Sequence, residues 1–75
     1  MEFPNNLETE LDLSHKNLLE CPDLSKYTKL IKLDISHNKI TKIDNLPHCL
    51  QILYCNDNQI TQLDNLPVRL KILHC

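Results

Sequence analysis

The chain has 75 residues, a net charge of −2 and no glycine. That length allows one small domain, and the charge balance excludes a basic nucleic-acid footprint or a basic membrane patch. No apolar run approaches the roughly 18 residues that a membrane-spanning helix needs. Without glycine, turns that require positive φ fall to Asn and Asp, in which the chain is rich. Phe3, Tyr27 and Tyr54 are the full set of aromatics, so Leu and Ile must carry almost all the burial.

Residues 1–10 begin Met1-Glu2-Phe3-Pro4-Asn5-Asn6, with neither a basic n-region nor an apolar h-region, so no secretory signal is visible. No Asn-x-Ser/Thr glycosylation acceptor occurs. Both features point to an intracellular, cytoplasmic protein with reduced thiols. This segment is expected to cap the first unit, with Phe3, Pro4 and Leu7 folding over its end.

The rest of the chain repeats itself. Residues 39–55 read KITKIDNLPHCLQILYC and residues 59–75 read QITQLDNLPVRLKILHC, identical at ten of seventeen positions at a shift of 20. One frame reads Leu30-x-x-Leu33-x-Ile35-x-x-Asn38-x-Ile40, and the next Leu50-x-x-Leu53-x-Cys55-x-x-Asn58-x-Ile60. An incomplete copy reads Leu70-x-x-Leu73-x-Cys75. A divergent copy starts at Leu11-x-Leu13, with Leu18, Cys21 and Leu24 in the places of Ile40, Ile43 and Leu46. The expected units are therefore 11–29, 30–49 and 50–69, followed by the partial unit 70–75. The first step is two residues longer, the excess falling in Ser25-Lys26-Tyr27-Thr28-Lys29, where a short helical turn fits.

Leu33-x-Ile35 and Leu53-x-Cys55 alternate apolar with polar, which predicts strands of three to five residues with one face buried. Asn38 and Asn58 end these strands, and their side chains are expected to satisfy backbone groups of the turn and of the neighbouring unit. Lys16 stands at that position in the first unit and lacks an acceptor. Between Ile40 and Leu50 lie nine residues including Pro47, too few for a regular helix, so an extended or 3₁₀ return is expected. Ile43 and Leu46, like Leu63 and Leu66, should point inward. No unit can bury its own apolar face, so neighbours must stack.

The pattern L-x-x-L-x-L-x-x-N-x-L resembles the leucine-rich-repeat family over residues 8–75. The short repeat and the Leu46-Pro47 and Leu66-Pro67 punctuation resemble the short-repeat members of bacterial and giant-virus proteins. The resemblance implies an α/β-type solenoid: a right-handed coil with a short parallel β-sheet on its concave face and extended or 3₁₀ segments on its convex face. It also implies a protein-interaction module without catalysis of its own, and no cofactor. The alternatives are a structural segment of a longer repeat protein, and a metal or redox protein using Cys and His. After Cys75 no capping device follows, which suggests a fragment of a longer repeat protein, a truncated product, or self-association through that end.

Four outward columns can be read along the strands: Glu10, Lys32, Ile52, Ile72; Asp12, Asp34, Tyr54, His74; Ser14, Ser36, Asn56; and His15, His37, Asp57. An exposed tyrosine flanked by isoleucines has the composition of an interface anchor. The expected partner-binding residues are Asp34, Ile52, Tyr54, Ile72 and His74. The partner is a protein, with neither nucleic acid nor membrane involved.

Chemical sites find little support. Cys21, Cys49, Cys55 and Cys75 lack the close C-x₂₋₄-C pair of zinc sites. Cys21, Cys55 and Cys75 occupy core columns and read as small hydrophobes. A Cys55–Cys75 disulfide between adjacent coils is geometrically conceivable but needs an oxidising compartment. Ser14-His15 and Ser36-His37 recur because the repeat recurs, and their side chains need not meet. Asp44-Asn45 and Asp64-Asn65 read as turn formers rather than calcium ligands.

Overall fold

The computed structural model describes residues 9–61 and 66–75. Phe3, Pro4, Leu7 and Glu8 of the expected cap, and Leu63, Asp64 and Asn65 of the third return path, lie outside these residues. Four strands form one sheet in chain order: β1 (Glu10–Asp12), β2 (Lys32–Asp34), β3 (Ile52–Tyr54) and β4 (Ile72–His74). All neighbours pair in parallel, and the register places Leu11, Leu33, Leu53 and Leu73 in one column. Alternation along each strand turns that leucine inward and its two flanking residues outward.

The core lies behind the sheet. Leu33 and Leu53 have 0% exposure, and Leu13, Ile35 and Cys55 form a second buried row. From the return paths, Leu24, Ile40 and Ile43 meet them. Each coil thus supplies the apolar partner that its neighbour lacks, which is how a one-dimensional stack becomes stable. Leu73, on β4, remains 40% exposed.

The return paths contain no helix among the described residues, and none there is long and apolar enough to cross a membrane. Their described segments are extended, and the second and third end in a turn: the Leu50 N–H donates to Pro47 O (3.3 Å), and the Leu70 N–H to Pro67 O (3.2 Å). Proline suits these positions because it lends a carbonyl where no amide is needed. Pro47 is fully buried, while Leu46 is only partly buried against the core.

The two-residue excess of the first step forms two consecutive turns, with the Tyr27 N–H donating to Leu24 O (3.0 Å) and the Leu30 N–H to Tyr27 O (3.1 Å). Tyr27 is 7% exposed and plugs the core beneath them. Its role was not visible in the repeat pattern because no other unit has an equivalent position. The ladder asparagines hold the coils together as their spacing suggested. Asn38 Nδ2 donates to Leu13 O, Ile35 O and Ser36 O, while its Oδ1 accepts the Lys16 and Leu18 amides. Asn58 repeats the arrangement on Ile35 O, Cys55 O and Asn56 O, and accepts the Ile40 amide.

Candidate functional site

The outward residues of the sheet make the candidate site. Pairing aligns Lys32 with Ile52 and Ile52 with Ile72 in one row, and Asp34 with Tyr54 and Tyr54 with His74 in the next. Four of the five expected residues therefore gather on β3 and β4. The Tyr54 and His74 rings lie 5.2 Å apart at a 48° tilt. Ile72 is 41% exposed beside the half-buried Ile52.

Lys32 joins this group and was missed in the sequence. Its Nζ lies 5.5 Å from the Tyr54 ring centroid and 3.9 Å from Glu10 Oε1. The cation lies over the ring's negative face and links the charged first half of the sheet to its apolar second half. The signal was available only as register: Lys32 is diagonal to Tyr54 across one strand spacing, within reach of a long side chain.

Asp34 is largely committed to local structure. Its Oδ1 accepts from the Ser36 N–H (3.0 Å) and the Ser36 hydroxyl (2.6 Å), closing the turn after β2. Ser36 is consequently buried, whereas the column reading had placed it outward. Asp12 and Ser14 repeat this turn after β1, and the Ser14 hydroxyl and amide hold the Asp12 carboxyl below its usual range. A cavity of 340 Å³ lies on the same face at β1 and β2, lined by Glu10, Leu11, Asp12, Lys32 and Asp34. It meets the expected patch only at Asp34. The aromatic and aliphatic residues of β3 and β4 lie beside it in the strand order.

The same bonds decide the Ser–His question. Both serine hydroxyls donate to aspartates, so neither proton is directed at a histidine. His15 and His37 stack on each other instead, with centroids 4.3 Å apart at 9°. His37 Nδ1 approaches Asp57 Oδ2 at 3.4 Å. No group of three or more His, Cys, Asp or Glu side chains among the described residues is arranged to hold a metal ion.

Cys55 and Cys75 face each other across β3 and β4, with Cα atoms 4.6 Å apart and sulfurs in bonding contact. Cys55 is 1% exposed, as a core residue should be. Cys75 is exposed, so its reading as a buried hydrophobe is corrected. Cys21 and Cys49 are free and partly buried.

A family model described as leucine rich repeats, in two copies, matches residues 28–68, more than half of the chain. The chain belongs to the leucine-rich-repeat family. The match spans the Asn38 and Asn58 frames, where the expected columns and the observed ladder agree. No curated protein and no solved structure matches the chain significantly. Leucine-rich repeats are generally protein-interaction modules, typically without enzymatic activity, and here the repeat turns its outward residues onto one continuous sheet face.

Proposed function

We propose that the outward face of β3 and β4 binds a protein partner, with Tyr54 as its anchor and Ile52, Ile72 and His74 as the surrounding contacts. The observation that carries this reading is the Tyr54 ring itself. It stands half-buried on the sheet between Lys32 and His74, beside two isoleucines. Tyrosine offers a large apolar area and a polar tip at low entropic cost, which suits interface anchors. Asp34 contributes through its second carboxylate oxygen at the edge of the patch. The reading includes no catalytic step.

The test compares wild-type chain with Tyr54→Ala, first by capture from the cell of origin and then by titration against the purified partner. The variant should bind at least about tenfold more weakly with an unchanged denaturation midpoint. Equal affinity of a folded Tyr54→Ala for every captured partner overturns the proposal.

A further inference from the structure

We propose that Cys55 and Cys75 form a thiol–disulfide latch that fixes β4 to β3 when oxidised and releases it when reduced. The two residues follow directly on the registered strands and belong to one inward column. Their Cα separation of 4.6 Å lies within the range a disulfide spans without backbone movement. The exposures are asymmetric. Cys75 meets solvent and can be attacked, while Cys55 is sealed beneath the sheet with Cys75 beside it. That is the arrangement of an entry thiol beside a resolving thiol.

The element being latched needs one. All three residues of β4 are exposed, in contrast to the half-buried flanks and sealed centre of β2 and β3. Backbone bonds hold it: the Lys71 and Ile72 amides donate to Gln51 O (2.8 and 3.0 Å), and the Cys55 amide to His74 O (2.6 Å). A strand with so little apolar cover opens at low cost. A covalent tie between residues 20 apart removes much of the freedom gained by opening. Ile72 and His74 ride on β4, so the latch also sets how firmly they are presented.

The chemistry balances with a small-molecule disulfide such as oxidised glutathione as the two-electron acceptor. The Cys75 thiolate attacks one of its sulfurs, the small S–S bond breaks, and one glutathione thiolate leaves and takes up a proton. The Cys55 thiolate then attacks Cys75 Sγ and expels the second glutathione. Two protein thiols are oxidised, and one disulfide is reduced to two thiols. Cys21, a free and partly buried thiol outside the pair, serves as an internal control.

The latch stands whether or not the concave face binds a partner, and its test needs none. The reduced full chain is incubated with oxidised glutathione, mapped by mass spectrometry without reduction, and followed by amide hydrogen exchange. The expected product is an intramolecular Cys55–Cys75 link with Cys21 and Cys49 still alkylatable. Exchange over residues 71–74 should slow at least about tenfold, and the thermal midpoint should rise by roughly 10 °C. Cys75→Ser, a change at an exposed position, should show neither effect of oxidation. Links between two chains, glutathione retained on Cys75, exchange that is the same in both redox states, or equal oxidative slowing in Cys75→Ser would each overturn the proposal.

Discussion

Asn38 grips Leu18 across twenty residues of chain: its Oδ1 accepts the Leu18 amide at 3.0 Å while its Nδ2 donates to Leu13 O at 2.9 Å. One buried side chain thereby closes its own turn and the turn of the coil before it. Asn38→Ala leaves the Lys16 and Leu18 amides and three carbonyls without that partner. Each buried group left unsatisfied costs on the order of 1–3 kcal/mol, so a loss of about 3 kcal/mol or more is expected, enough to unfold a domain of this size. Urea denaturation gives the value directly. A loss below about 1 kcal/mol would mean that water replaces the asparagine at little cost, and that the ladder does not hold the coils together.

Leu53 and Leu73 occupy the same column one coil apart, yet differ in cover: Leu53 is 0% exposed and Leu73 is 40% exposed. Leu53→Ala should destabilise the chain by roughly 2–4 kcal/mol, since neighbours on both sides prevent collapse of the cavity. Leu73→Ala should cost about 1 kcal/mol, because much of its surface already meets water. Denaturation of the two variants under one set of conditions reads the difference. Equal losses would show that the two leucines are equally covered in solution, contrary to the structure.

The column of leucines and the asparagine frame were legible because the period itself encodes them. Asn38 and Asn58 recur with the same flanking apolar residues, and stacking is the one arrangement that buries both sets. The two-residue excess after Leu24 leaves the register intact, Leu11 still pairing with Leu33, because it is taken up by paired turns around Tyr27. That plug was illegible, since a residue without repeats carries no periodic signal. The positive-φ positions were half legible. Asn17, Asn45 and Asp57 adopt them as expected in a chain without glycine, but so do His15 and His37. Those two histidines share one ring stack, a tertiary contact that no local turn preference encodes. Lys32 at Tyr54 and the exposure of Cys75 were hidden for a related reason. Each depends on what the adjacent coil provides, not on the residue's own unit.

Asp12 supplies a pH-dependent term of known sign. Hydrogen bonds from the Ser14 side chain and amide lower its pKa in the folded chain, with smaller help from Lys16 and His15. In the unfolded chain those bonds are gone, and the carboxyl titrates near its ordinary value of about 4. The unfolded state therefore binds more protons between the two values, and stability rises with pH across that window. The contribution is present in full above about pH 4, and it is lost as pH falls through the depressed folded value. Asp23 adds a term of the same sign through the Ser25 hydroxyl and amide. Asp12→Asn removes the first term alone. Its denaturation midpoint should be lower than wild type at pH 6 and should converge on wild type as the pH drops below about 4. Midpoints that differ by the same amount at every pH would show that the Ser14 bonds do not favour the ionised carboxyl, and that the turn after β1 is held by shape alone.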